Sequence, residues 1–160
     1  MSLKQTKTYR SFSSEETKRF GEKLGKKIKP GENAAVFALA GELGAGKTTF
    51  VQGFFRGLGL KKRAPSPTFI IMRRHALSRV PHAARTQRRS FTDVFHVDAY
   101  RLKSAKHLAA LDFENVLLDP WNVVLIEWAD RVKKILPKDT VWLHFRHGRH
   151  ENERSIIMKR

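Results

Sequence analysis

Eight consecutive residues, Gly41 to Thr48, constrain this chain more than any other segment. They read Gly-Glu-Leu-Gly-Ala-Gly-Lys-Thr and match the P-loop pattern G-x-x-x-x-G-K-[ST] at every fixed position. An apolar segment, 34–40, precedes the motif, and a segment with helical apolar spacing, 48–58, follows it. Because a P-loop joins a buried strand to a helix N-terminus, the motif predicts an α/β domain that binds nucleotide phosphates.

The residue types of the motif explain why it suits phosphate. Glycines let backbone N–H groups turn inward around an anion, and the helix N-terminus adds the positive end of its dipole. We expect Lys47 to reach the β- and γ-phosphates and the hydroxyl of Thr48 to ligate Mg²⁺.

Composition limits the class of protein. The 160 residues are 41% hydrophobic, which favours a single domain, 1–160, with a core of its own. No apolar run approaches the roughly 20 residues of a membrane span, and the N-terminus lacks an apolar signal region, so we expect a cytoplasmic protein without a membrane partner. The absence of cysteine excludes disulfides, thiol catalysis and cysteine-based metal sites.

The chain is strongly basic. Thirty-two Lys and Arg against fifteen Asp and Glu give a net charge of +17, which predicts attraction to polyanions but also fits a solubility adaptation. The segment 61–92 contains basic residues and no carboxylate. We interpret 73–92 as a basic extended loop or hairpin insertion within the domain.

Predicted strands and helices alternate along the chain. Ser13 and Glu16 form a capping-box pattern that opens the first helix, and the prolines of 61–67 predict a loop. The predicted strands cover 7–12, 34–40, 68–72, 91–97, 121–126, 140–145 and 154–158, and helices are predicted after Ser13, after the P-loop, over 103–118 and over 129–135. This order predicts a three-layer α/β P-loop NTPase with a mixed, mostly parallel central sheet and helices on both faces.

Two carboxylates follow apolar strands. Glu127 ends the segment 122–127 and Asp98 stands at the end of the strand predicted over 91–97, and ligands of open α/β sheets bind at such strand ends. Glu127 is therefore a candidate Mg²⁺ carboxylate, and Asp98 a candidate for orienting water or a metal-bound water. The alternatives are a strand-end salt bridge for Glu127 and a capping role for Asp98.

Four segments in order resemble the TsaE (YjeE) family, the bacterial ATPase component of threonylcarbamoyladenosine modification of tRNA. The segments are Gly41 to Phe50, Ser66-Pro67-Thr68-Phe69, His96-Val97-Asp98-Ala99-Tyr100-Arg101-Leu102 and Leu125-Ile126-Glu127-Trp128. The resemblance covers almost the whole chain, and the ordered set is far more specific than any one segment.

The resemblance implies roles for individual residues. Thr48 and Glu127 would hold Mg²⁺, Lys47 and Asp98 would be needed with Glu127 for hydrolysis, and ATP or ADP would be the nucleotide. The residues implied to wrap the phosphates are Gly44, Ala45, Gly46, Lys47, Thr48 and Thr49. Those implied to flank the adenine are Ser14, Thr17, Gly148 and Arg149, and those implied to respond to nucleotide are Ser66, Pro67, Thr68 and Trp128.

The resemblance also implies partners. Family members work with TsaB and TsaD, and ATP binding and hydrolysis are thought to reset that complex between turnovers. We expect the basic stretch from Arg73 to Arg89 to face solvent and to contact tRNA or an acidic face of a partner. This stretch is longer than is usual in the family, and Asp112 stands where the family commonly has glycine.

Other P-loop functions remain open at this point. A small-molecule kinase would share the P-loop core, and an Arg-rich kinase lid could be confused with 73–89. A GTPase is disfavoured, since the guanine motif Asn-Lys-x-Asp does not occur. A non-enzymatic nucleic-acid-binding module, stabilised by nucleotide, would also account for the charge.

Overall fold

The computed structural model describes residues 6–60, 71–77 and 90–160. In these ranges the strands are β1 (Thr6–Ser11), β2 (Ala35–Gly41), β3 (Met72–Ala76), β4 (Asp93–Asp98), β5 (Asn122–Glu127), β6 (Val141–His147) and β7 (Arg154–Lys159). The helices are α1 (Ser14–Lys27), α2 (Lys47–Gly57), α3 (Lys106–Ala109), α4 (Phe113–Leu118) and a 3₁₀ helix (Ala129–Ile135). Among them no helix combines the length and the apolar character that crossing a membrane requires.

The strands form one mixed sheet in the order β1-β7-β6-β2-β5-β4-β3. The four central strands, β6, β2, β5 and β4, run parallel, whereas β1–β7, β6–β7 and β3–β4 are antiparallel pairs. This confirms the predicted mixed sheet with a parallel centre. Because parallel strands end at the same edge, β2, β5 and β4 deliver their last residues to one side of the molecule.

Alternating residues of the central strands bury two separate apolar clusters. On one face, Phe37 and Leu39 of β2 pack with Phe50 and Phe54 of α2. On the other face, neighbouring β2 residues and Val124 of β5 pack with α3, α4 and the 3₁₀ helix. Both faces of the sheet are therefore covered, which confirms the three-layer prediction.

The predicted cap of α1 forms, with one change. The Ser13 hydroxyl accepts the backbone N–H of Glu16 at 3.1 Å, as a capping box requires. The Glu16 carboxylate accepts the N–H of Phe12 at 2.8 Å rather than that of Ser13. The reciprocal bond thus ties the helix start to the end of β1.

Helices α1 and α2 approach each other backbone to backbone. Gly21 and Gly25 of α1 face the main chain of α2, and Gly53 and Gly57 of α2 face the main chain of α1. A Cβ added at any of the four would lie under 3.0 Å from a carbonyl oxygen of the other helix. The absence of side chains at these positions is what allows the close packing.

One sequence prediction is tested only in part and another is wrong. Residues 68–70 of the strand predicted over 68–72 lie outside the described part of the chain, where the strand is β3, Met72–Ala76, with Met72 opposite Val97 of β4. The single helix predicted over 103–118 is two short helices, α3 and α4, separated at Asp112.

Asp112 explains the break between α3 and α4. Its φ is +58°, in the left-handed region that glycine adopts most readily, so the chain cannot continue as one right-handed helix there. The Asp112 carboxylate accepts the side-chain N–H of Asn115 at 2.7 Å. Aspartate is among the few residues other than glycine that adopt this conformation readily, and a local hydrogen bond accompanies it here.

The basic segment is described only at its ends. Arg73 and Arg74 lie on β3, and Arg74 pairs with Asp93 of β4 at 2.8 Å. β3 and β4 are antiparallel neighbours, while residues 78–89 and the predicted switch residues Ser66, Pro67 and Thr68 lie outside the described residues. The limits of the proposed insertion, 73–92, stay a prediction.

Replacing Gly53 with alanine should destabilise the fold although alanine is the better helix former. The propensity gain is about 1 kcal/mol, whereas the new Cβ would collide with the Lys18 carbonyl in the backbone of α1. Overpacking of this kind costs about 1–3 kcal/mol. We expect Gly53→Ala to have a lower free energy of unfolding than the parent, measured by urea denaturation.

Gly31→Ala is the matched control, since a Cβ there has nothing within 4 Å. Its stability should stay close to that of the parent. A Gly53→Ala protein as stable as the parent, or more stable, would contradict the close approach of α1 and α2.

Candidate functional site

The P-loop leaves the end of β2 through glycines in conformations that other residues rarely adopt. Gly41, Gly44 and Gly46 have φ values of +142°, +73° and +101°. Gly46 is the N-cap of α2, so the helix starts directly at Lys47. Side chains would strain the backbone at these positions, which is why the turn between β2 and α2 needs glycine.

Lys47 folds back onto its own loop. Its Nζ donates to the carbonyl oxygens of Gly41 and Glu42, both at 2.7 Å, and only 4% of the residue is exposed. Burial lowers the pKa of Lys47, and the nearby carboxylates of Glu127, Asp130 and Asp98 oppose that shift. The ammonium is therefore surrounded by negative and partially negative oxygens at the N-terminus of α2.

Glu127 is held at the end of β5 by two donors. The Thr48 hydroxyl donates to its Oε2 at 2.7 Å, and Nε2 of His96 lies 2.9 Å from its Oε1. Glu127 is 4% exposed and His96 1%. The contact with His96 is an ion pair when the imidazole is protonated, so the strand-end salt bridge that was the alternative stays open.

The oxygens of Thr48 and Glu127 make a donor set that suits Mg²⁺. Hydroxyl and carboxylate oxygens are the hard ligands that this ion prefers, and the ion keeps several waters. The two side chains converge although they are 79 residues apart in sequence. The residues predicted to hold the metal therefore fit it in chemical type and lie together.

Asp98 lies beside Glu127 in the sheet. The two residues are register partners on the parallel strands β4 and β5. The Asp98 carboxylate accepts the N–H of Tyr100 at 3.0 Å, so it also has the capping role that was the alternative. Asp98 is only partly buried, and its charge acts on the ammonium of Lys47.

Trp128 covers the P-loop lysine. The Lys47 ammonium lies 3.9 Å from the centre of the Trp128 ring, a cation–π distance. Trp128 has φ +59°, which turns the chain from β5 into the 3₁₀ helix. Tyr100 packs on the indole at 5.0 Å between ring centres, and Arg131 lies 5.4 Å from the Tyr100 ring. Two aromatic rings in contact therefore lie between the Lys47 ammonium and the Arg131 guanidinium.

A small cavity of about 50 Å³ lies on the other side of the P-loop, where α1 begins. Ser14 and Thr17, which the resemblance places beside adenine, are in its wall, as are three of the P-loop residues. The lining residues are Ser13, Ser14, Thr17, Gly44, Gly46, Thr49, Asn152 and Arg154.

Gly148 and Arg149 lie in the turn between β6 and β7 and are not in the wall of that cavity. Their N–H groups donate to Glu153, Gly148 to its carbonyl at 2.8 Å and Arg149 to its carboxylate at 2.9 Å. The bond from Arg149 lowers the pKa of Glu153. The turn reaches the P-loop through His147, whose Nε2 lies 3.1 Å from the Leu43 carbonyl oxygen.

Sequence reasoning missed several residues of this region. His96 has a detectable signal, because it lies two residues before Asp98 on the same strand and therefore on the same face. Tyr100 was quoted as part of a motif without a role. Asn152 and Arg154 have no sequence signal, since only the fold brings the β6–β7 turn to the start of α1.

Known proteins are similar to this chain over most of its length. The profile of the family described as "Threonylcarbamoyl adenosine biosynthesis protein TsaE" matches residues 11–156. The tRNA threonylcarbamoyladenosine biosynthesis protein TsaE of Bacillus subtilis is 32% identical over 154 residues, 96% of this chain and 85% of that protein. The TsaE protein of Treponema pallidum is 33% identical over 136 residues, 85% of this chain and 88% of that protein.

The fold has a counterpart among solved structures. The crystal structure of Bacillus subtilis YdiB superposes with a TM-score of 0.72 at 25% sequence identity, covering 99% of this chain and 88% of that one. Since the family profile spans most of the sequence and the P-loop lies within the matched range, this chain belongs to the TsaE family.

Proposed function

We propose that this chain is a cytoplasmic Mg²⁺-dependent ATPase that supports threonylcarbamoyladenosine modification of tRNA. In this proposal it binds a complex of TsaB and TsaD homologues, and ATP binding and hydrolysis reset that complex between turnovers. Family membership supports the pathway, and the names of its relatives state the same process.

One observation carries the ATPase proposal. The P-loop threonine, Thr48, is hydrogen-bonded to the strand-end carboxylate of Glu127, and Asp98 lies in register beside it. A P-loop alone binds phosphate, whereas hydrolysis also needs a carboxylate for Mg²⁺ and a group that orients water. The chain provides a P-loop, a candidate Mg²⁺ carboxylate and a candidate water-orienting group at one edge of the sheet.

Lys47 is pre-positioned for a polyphosphate. Its ammonium is held by the Gly41 and Glu42 carbonyls, in a place where burial disfavours its charge. Phosphate oxygens of ATP would supply a full counter-charge to this cation, so we infer that Lys47 exchanges a loop carbonyl for the β- and γ-phosphates. Mg²⁺, held through Thr48 and Glu127, would neutralise charge on the same phosphates.

Asp98 is the proposed water-orienting group. Its carboxylate is less buried than that of Glu127, and its bond to the Tyr100 N–H fixes its orientation. A fixed carboxylate next to the Mg²⁺ ligand could accept a proton from, or align, a water attacking the γ-phosphate. Glu127 would bind the metal, and Asp98 would orient the attacking water.

The proposed roles of Lys47 in binding phosphate and of Asp98 in orienting water predict different defects in the two variants. Lys47→Ala should weaken ATP binding by about 2–5 kcal/mol, because it removes a buried cation from its anion. Asp98→Asn should bind ATP normally but lower kcat by about 10²–10⁴-fold, since an amide accepts the Tyr100 N–H but not a proton from water. Calorimetric titration with ATP and an assay of phosphate release would measure both.

Asp119→Asn is the matched control for Asp98→Asn. Asp119 accepts the N–H of Trp121, two residues on, at 3.0 Å, but it lies before β5 at the opposite end of that strand. Its substitution should leave turnover unchanged. Normal turnover in Asp98→Asn would rule out the catalytic role, and normal ATP affinity in Lys47→Ala would rule out the phosphate role.

Trp128 should report nucleotide binding. Because the Lys47 ammonium lies 3.9 Å from its ring, movement of that cation toward phosphate would change the indole environment. We expect a change in tryptophan fluorescence on adding ADP with Mg²⁺, and we expect Trp128→Phe to remove it. Trp121 and Trp142 supply the background signal. A change that persists in Trp128→Phe would mean that another tryptophan senses the nucleotide.

The basic stretch should bind tRNA or an acidic partner surface through its arginines. Replacing Arg79, Arg85, Arg88 and Arg89 with serine should flatten the dependence of binding on salt. For tRNA the slope reflects the number of phosphates neutralised, and for TsaB–TsaD it reflects the screening of charge pairs between the proteins. Intrinsic ATP binding should not change. Binding would be measured by fluorescence anisotropy across a salt series.

A control variant removes the same charge elsewhere. Lys23, Lys103, Lys134 and Lys138 are exposed and lie outside the stretch. Their replacement by serine should leave the salt slope nearer to that of the parent. Equal slopes for both variants would show that the stretch contributes only general charge.

A further inference from the structure

Two histidines, His96 buried and His75 partly buried, lie on neighbouring strands against the P-loop helix. His75 of β3 and His96 of β4 both contact the ring of Phe55, with ring centres 5.3 and 5.5 Å apart. Among the described residues, Nε2 of His75 and Nδ1 of His96 are buried with no hydrogen-bond partner. A buried ring nitrogen without a partner is costly, so the use of histidine at such a position calls for a reason.

At His96 the reason is its other nitrogen. Nε2 lies 2.9 Å from Oε1 of Glu127. Because an ionised carboxylate can only accept a hydrogen bond, Nε2 carries the hydrogen and is the donor. The Thr48 hydroxyl donates to the other oxygen, Oε2, at 2.7 Å. Each oxygen of Glu127 therefore has one donor, the first in the core and the second at the P-loop.

We propose that His96 is a positioning residue for Glu127, which fixes the carboxylate so that Oε2 faces Thr48 and the metal site. The inference rests on the proposed function, in which Glu127 helps to hold Mg²⁺. With Oε1 bound to His96, rotation of the carboxylate is restricted, and Oε2 is the oxygen left toward the P-loop. Such outer partners of metal ligands commonly affect metal affinity by 10–100-fold.

Packing alone does not require histidine at this position. The ring of His96 meets Phe55 edge-on, at 89° between ring planes, in a cluster of apolar side chains. A phenylalanine ring would fill a similar space without leaving a buried nitrogen unpaired. What histidine adds is the N–H that reaches Oε1 of Glu127, while Thr48 of the P-loop binds Oε2.

The test compares four variants by magnesium titration. His96→Phe removes the donor, and His96→Gln restores an N–H near the position of Nε2. His96→Asn carries the same amide on a shorter side chain that does not reach Glu127. His75→Phe is the control, because it removes a partly buried histidine from the same Phe55 without touching Glu127.

The readout is Trp128 fluorescence at fixed ADP while MgCl₂ is added, together with ATP turnover over the same range. The half-saturating Mg²⁺ concentration should rise about 10–100-fold in His96→Phe and His96→Asn. It should return to within a few fold of the parent in His96→Gln and stay at the parental value in His75→Phe. Thermal unfolding of each variant shows whether it is folded.

The outcomes separate this inference from the proposed function. If the parent responds to MgCl₂ and His96→Phe and His96→Asn respond at the same concentration, the positioning role is wrong while the ATPase proposal stands. If neither the ATP turnover nor the Trp128 signal of the parent depends on Mg²⁺, the proposed Mg²⁺-dependent function fails and the inference fails with it. If His96→Phe does not fold, the test is the half-saturating Mg²⁺ concentration of His96→Asn compared with that of His96→Gln. Equal concentrations for these two variants overturn the proposal.

Discussion

The parallel pairing of β2, β5 and β4 is the constraint on which the site depends. Leu39 of β2 is the register partner of Glu127, and Glu127 is the register partner of Asp98. Three strand ends therefore meet at one edge, where the P-loop leaves β2. A shift of one residue in either register would turn a carboxylate to the opposite face of the sheet, because side chains alternate along a strand.

The close packing of α1 and α2 places the start of α1 next to the P-loop. Glycines where the helices cross let the two backbones approach, and α2 begins directly after Gly46 of the P-loop. The start of α1, with Ser14 and Thr17, is thereby brought against Gly44 and Gly46. The packing of α1 on α2 therefore also sets the position of Ser14 and Thr17 relative to the P-loop.

Charge is arranged differently at the site and on the surface. The net charge of +17 is spread over the chain, yet the surroundings of Lys47 are acidic, with Glu127, Asp98 and Asp130 all acting on it. A buried lysine among carboxylates and carbonyls suits a polyphosphate that arrives with its own Mg²⁺. The exposed cations, in contrast, suit a large polyanion or an acidic partner.

The sequence by itself determined the P-loop, the strand and helix around it, and the placing of Glu127 and Asp98 at strand ends. These features follow from local patterns of glycine, apolar residues and carboxylates within short windows. Tertiary contacts were needed to fix the register of β3 on β4, the break at Asp112 and the positions of His96 and Arg154 near the P-loop. These depend on contacts between residues distant in sequence, such as Thr48 with Glu127 and His96 with Glu127. Periodicity and residue type describe one segment at a time, whereas such contacts arise from which strands become neighbours and in what register.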